Sequence, residues 1–95
     1  MKIIVTYDII KNKIRGEIAD ILFFYGLLRV QNSVFFGDIK KRKIKNLVKR
    51  IKSIELEEED SIYIFKVCEK DFKNINFFGK SINLYYIEED FIFIW

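Results

Sequence analysis

A 95-residue chain that is 51% hydrophobic and 33% charged has the composition of one folded domain and excludes a disordered segment. With no histidine and a single cysteine, Cys68, it also excludes histidine-based catalysis, an internal disulfide and a cysteine-rich zinc site. The formal net charge of +3 is modest but unevenly spread: residues 40–52, KKRKIKNLVKRIK, carry eight basic residues and no acidic one, and residues 55–60, ELEEED, carry five acidic ones.

Residues 2–8 read as a first strand, with Ile3, Val5 and Tyr7 on one face and Ile4, Thr6 and Asp8 on the other. Residues 13–25 read as a helix, with Ile14, Ile18, Ile21, Leu22 and Tyr25 at helical spacing, Asn12 as its cap and Gly26 as its stop. Residues 27–36, LLRVQNSVFF, read as a second strand with Arg29, Gln31 and Ser33 on one face, and Gly37-Asp38 reads as a turn. Residues 40–52 read as a helix that buries Ile44, Leu47, Val48 and Ile51 and is otherwise basic apart from Asn46. Residues 61–67 read as a third strand, and a short strand is expected near 74–78, ending at Gly79.

A bend near Asn32-Ser33 would split the second strand and give β-α-β-β-α-β, the ferredoxin-like order, an α+β sandwich with both helices on one sheet face. The tail, INLYYIEEDFIFIW, holds two strand-like runs, 82–87 and 91–95, and the last is apolar on both sides. Such a strand needs an edge to pair with. Residues 1–95 are therefore expected to form one domain, with 80–95 as an extension that adds a strand and exchanges between the subunits of a homodimer. No apolar run approaches 18 residues, so no membrane span is expected. The start reaches Asp8 too early for a signal peptide, and the expected location is cytoplasmic.

Asp8 is the leading candidate for chemistry. A carboxylate at a strand end can hold Mg²⁺ or Mn²⁺, which prefer oxygen ligands, and a two-fold axis beside it would supply a second one. A strand-end aspartate with no further role is the alternative. Arg15 places a positive charge in the first turn of a helix, against its dipole, which suits a residue that meets a phosphate. Tyr7 either packs under the helices or reaches the same phosphate. Arg29, Gln31 and Ser33 could grip phosphate and sugar oxygens or line a wet sheet face. Phe35 shares their parity and either stacks on a base or is buried. Lys41, Arg42, Lys45 and Lys49 on the second helix form a basic stripe suited to a nucleic-acid backbone, or only a solvated face.

The stretches VTYDI at 5–9, YGLLRVQNSVFFG at 25–37 and EEDSIYIFKVCEK at 58–70 together resemble the small CRISPR-associated endonuclease of the spacer-adaptation module, the "Cas two" family. Tyr7-Asp8, the early helix Arg15, the Arg29-Val30-Gln31-x-Ser33-Val34-Phe35 segment and Asp60-Ser61 carry the likeness, in order along nearly the whole chain. The resemblance implies a ferredoxin-like homodimer with an exchanged C-terminal strand. It implies Mg²⁺-dependent cleavage of single-stranded RNA, or of double-stranded DNA, with Asp8 as the metal ligand. It also implies a partner, the CRISPR integrase. Ile14 stands where the family commonly has a basic residue, and Phe36 where it commonly has an acidic one, which removes a possible auxiliary carboxylate. Two other readings compete: a DNA-binding scaffold subunit without hydrolysis, and a toxin-type ribonuclease of a related family.

Overall fold

Strict alternation makes the first strand, β1 (Lys2–Asp8), and decides which way it faces. Ile3, Val5 and Tyr7 are buried on one side, while Ile4 and Thr6 are half-buried on the other and Asp8 is exposed at the end. The computed structural model describes residues 1–76 and 78. The extension expected over 80–95, with its exchanged strand, lies outside the described residues.

The helix α1 (Asn12–Phe24) turns Ile18, Ala19, Ile21 and Leu22 inward. Asn12 is its first helical residue rather than its cap, and Lys11, one position earlier, is the N-cap without a side-chain hydrogen bond. The stop is as expected. Gly26 has φ +84°, Leu27 N–H donates to Leu22 O at 3.0 Å and Gly26 N–H to Phe23 O at 2.9 Å. This paired ending needs a residue that tolerates the left-handed region at position 26.

Residues 28–38 form a hairpin of β2 (Leu28–Gln31) and β3 (Val34–Asp38), broken at Asn32-Ser33. Gly37-Asp38 is not a turn but the end of β3. A Cβ on Gly37 would lie 2.9 Å from Leu27 Cγ and 3.2 Å from Leu27 Cα. Leu27, 1% exposed, fills the space that the missing side chain leaves. Gly37→Ala is therefore expected to overpack this contact and lower stability by about 1–3 kcal/mol, read as a lower urea midpoint at unchanged slope.

The second helix, α2 (Lys41–Lys52), buries Ile44, Leu47 and Ile51 and leaves its charged sides in water. It is followed by the edge strand β4 (Ser61–Val67). The strand expected near 74–78 is not formed by its described residues, of which Asn74 is a turn; ahead of them lies a five-residue helix, α3 (Glu69–Lys73), that the sequence pattern does not place. Its N-cap is Cys68, whose Sγ accepts from Asp71 N–H at 3.5 Å.

The sheet has the order β2-β3-β1-β4 with every neighbouring pair antiparallel, the ferredoxin-like arrangement. One face packs against α1 and α2, where Ile3, Val5, Ile18, Leu22, Phe35 and Leu47 are at 0% exposure. Each such side chain contributes about 1.5–3 kcal/mol relative to an exposed one. The other face has a smaller cluster in which α3 takes part. Phe72 lies among Val30 and Phe36, its ring 5.7 Å from that of Phe36. At the start of β1, the Asp38 carboxylate accepts from the N-terminal ammonium at 2.9 Å and from Lys2 Nζ at 3.1 Å. Those two hydrogen bonds, the ammonium's first, hold the Asp38 carboxyl below the usual carboxylate range.

Candidate active site

Topology brings four chain segments to the end of the sheet where β1 stops. Asp8 is the last residue of β1, and its register partner on β4 is Ser61. The β2–β3 turn reaches the same end, because Tyr7 N–H donates to Ser33 O at 3.1 Å. Arg15, in the first turn of α1, reaches back and donates from Nη1 to Ile9 O at 3.3 Å. Asp8, Arg15, Gln31 and Ser33 thus gather at one end of the sheet.

The loop after Asp8 is tied down residue by residue. Ile9 is buried and its carbonyl takes the Arg15 hydrogen bond. Ile10 N–H donates to Asp60 Oδ1 at 3.0 Å, and the other oxygen, Oδ2, accepts from Glu57 N–H at 2.9 Å. Lys11 Nζ meets Glu57 Oε1 at 2.6 Å. That hydrogen bond, followed by the Glu57 charge, raises the Lys11 ammonium above the usual lysine value. The acidic run 55–60 therefore includes the anchor of the loop next to Asp8. Its only sequence signal is Asp60-Ser61 ahead of β4.

Other expectations are relocated. The polar row Arg29, Gln31, Ser33 does not exist as one face, because the break at Asn32-Ser33 and a bulge between Arg29 and Gln31 interrupt the alternation. Gln31 is exposed at the end of β2, Ser33 lies in the turn, and Arg29 is half-buried. The Arg29 guanidinium carbon sits 5.2 Å from the Phe35 ring centroid and 5.5 Å from that of Phe23. Phe35 is 0% exposed and has no ring face for a base. Tyr7, at 6%, is a core residue whose hydroxyl donates to Asn32 O at 3.5 Å.

Lys41, Arg42, Lys45 and Lys49 are all exposed on α2. Their helix begins at the opposite end of the sheet, where Ile39 N–H donates to Met1 O at 2.8 Å. The seven residues of β1 span about 20 Å. The start of the basic stripe is therefore separate from Asp8.

The Asp8 carboxylate is exposed and has no hydrogen-bonding or ion-pair partner among the described residues. Such a donor fits a hard cation that keeps most of its waters and takes one or two carboxylates, as Mg²⁺ does. No group of three histidine, cysteine or acidic side chains among the described residues could enclose a metal within one protomer.

A family model described as CRISPR associated protein Cas2 matches residues 1–75. The CRISPR-associated endoribonuclease Cas2 2 of Pyrobaculum aerophilum is 45% identical over 67 residues, which cover 70% of this chain and 74% of that protein. A CRISPR-associated endonuclease Cas1/endonuclease Cas2 fusion of Thermoproteus tenax is 40% identical over 67 residues, 70% of this chain and 25% of the fusion. Among solved structures, Streptococcus pyogenes Cas2 superposes with a TM-score of 0.72 at 27% identity, covering 83% of this chain and all of that one. Asp8, Arg15, the hairpin and Asp60-Ser61 all lie within the matched residues, and the chain belongs to the CRISPR-associated Cas2 family.

Proposed function

We propose that this chain acts as a two-fold homodimer that hydrolyses phosphodiester bonds in single-stranded RNA. The Asp8 carboxylates of the two protomers would hold Mg²⁺, or Mn²⁺ as a substitute. The observation that carries this reading is the exposed, unengaged Asp8 carboxylate at the end of β1. The name endoribonuclease on the Pyrobaculum aerophilum relative supports the substrate. The dimer is supported by β4, an edge strand whose outer face exposes Tyr63 at 59% and Phe65 at 50%. When bound, the ion supplies a water of lowered pKa and a Lewis acid for the phosphodiester. The chain's own residues position the RNA: Arg15 offers guanidinium N–H groups beside the loop, and Gln31 and Ser33 offer polar groups at the same end of the sheet. The test is cleavage of single-stranded RNA by the purified protein with Mg²⁺, with Mn²⁺ and with EDTA. Metal-dependent cleavage by a dimer supports the reading, and no cleavage with either metal overturns it.

One observation favours a second role, as a DNA-holding subunit of spacer adaptation beside the integrase. The exposed stripe Lys41, Arg42, Lys45 and Lys49 starts at the end of the sheet away from Asp8 and, lying along a helix, suits a backbone rather than a single reacting phosphate. The Thermoproteus tenax fusion, in which Cas1 and Cas2 form one chain, supports such a partner. Neutralising the four side chains together is expected to weaken duplex DNA binding without changing base preference. The slope of log affinity against log salt should fall by about 0.9 for each lost phosphate contact. Titrations at several salt concentrations measure it. An unchanged slope would move the surface to Arg15 and Arg29.

A further inference from the structure

We propose that Asp60 is a positioning residue for Asp8, a role that rests on the active-site reading above. Asp60 does not touch the reacting atoms. It works through backbone: one carboxylate oxygen holds Ile10 N–H at 3.0 Å and the other holds Glu57 N–H at 2.9 Å. The residue after it, Ser61, is the register partner of Asp8. One half-buried side chain thus joins the start of β4, the loop that leaves Asp8 and the loop that leaves α2. The partners are 50 and 3 residues away in sequence, so the clamp fixes a long-range geometry rather than a local turn. Arg15 on Ile9 O and Glu57 on Lys11 brace the same loop from the other sides. Without the clamp, the chain after Asp8 is free to rotate its carbonyl and amide groups, and the carboxylate loses its fixed exit from the strand. Charge-assisted hydrogen bonds of this kind are the strong ones, and residues that orient a ligating carboxylate matter to metal affinity in the same way as the ligand itself.

The test uses the full chain with Asp60→Asn and Asp60→Ala. Asparagine keeps one carbonyl acceptor and turns the other arm into a donor that faces an N–H, so it breaks one hydrogen bond at nearly constant volume. Three readouts are taken: hydrogen exchange at the Ile10 and Glu57 amides, Mn²⁺ affinity by calorimetry, and the kinetics of RNA cleavage. Faster exchange at these amides is expected, together with a loss of about 10–100-fold in Mn²⁺ affinity and in kcat. KM for RNA should hold, because Arg15, Gln31 and Ser33, the side chains that position the RNA, are untouched. A purely structural role would lower the melting temperature and leave Mn²⁺ affinity and kcat of the folded protein intact, which would overturn the proposal. So would wild-type amide protection in a folded Asp60→Asn protein. If Asp60→Ala does not fold, the Asp60→Asn protein decides alone. Wild-type protein that neither cleaves RNA nor binds Mn²⁺ overturns the active-site reading and this role with it. A wild type that does both, matched by Asp60→Asn, overturns this role only.

Discussion

Asp8→Asn is expected to abolish metal-dependent cleavage of single-stranded RNA while leaving the fold intact. Asparagine has nearly the same size and keeps one oxygen, but it removes the anion that attracts a hard cation. The fall in rate should be about a hundredfold or more, the scale on which a lost charge-stabilising group is felt in a catalytic site. Stability should change by no more than about 0.5 kcal/mol, because the side chain is exposed at a strand end and no protein group among the described residues depends on it. In a dimer at low metal the variant should be slightly the more stable, since two facing carboxylates repel each other. Duplex DNA binding should change little, because the variant leaves the basic side chains of α2 in place. Cleavage assays with Mg²⁺, Mn²⁺ and EDTA on both proteins measure the first effect and urea titrations the second. Equal metal-dependent cleavage by both proteins would remove Asp8 as the essential ligand. A variant that no longer folds would make Asp8 a structural residue.

What could be read ahead of the structure follows from how local each signal is. The alternation of Ile3, Val5 and Tyr7 needs only neighbouring residues, and it placed the first strand and its buried face. Gly26 likewise announces its own left-handed stop. Parity held for Arg29 and Phe35 and for Val30, Val34 and Phe36, but failed at Gln31 and Ser33 because it assumes an unbroken strand. The turn at Asn32-Ser33 and the bulge before Gln31 took Gln31 and Ser33 out of the row, while Arg29 and Phe35 stayed register partners on one face, the face that the helices cover. A break at that point was visible as a way to reach the ferredoxin-like order, but its effect on which side chains share a face was not. Residues 69–73 were too short to show a helical period, and the helix there is held by Phe72 in the second cluster rather than by its own pattern. Asp60 was the hardest to read. An acidic run looks like a solvated loop, and nothing local says that one carboxylate reaches an amide 50 residues back. The family likeness marked Asp60-Ser61 as a matching pair without giving Asp60 a task.

The same distinction between face and core sets the expectation for Phe35→Ala. Phe35 is 0% exposed and is the second residue of β3, opposite Val5 on one side and Arg29 on the other. Its ring is 5.1 Å from that of Phe23, in an edge-to-face arrangement, and 6.2 Å from that of Tyr7. Truncation to alanine removes the ring from a packed interior and leaves a cavity among Tyr7, Phe23 and the Arg29 guanidinium. The expected loss is about 3–5 kcal/mol. For a small domain with about 5–15 kcal/mol in total, that is a large share of its stability. The Arg29 guanidinium would also lose one of the two rings it lies over, so its position should loosen. Phe23→Ala, at a position 48% exposed, should cost clearly less, because its ring already meets water on one side. Phe35→Leu, which refills part of the volume, should fall between the two and provide folded protein for binding assays. A base-stacking role for Phe35 would give the reverse pattern: RNA affinity lost by about 1–3 kcal/mol per base with the stability of the protein nearly unchanged. Urea unfolding and RNA binding, measured on the same three variants, separate the two. A Phe35→Ala protein as stable as wild type but poor at binding RNA would show that the ring turns outward to meet nucleic acid.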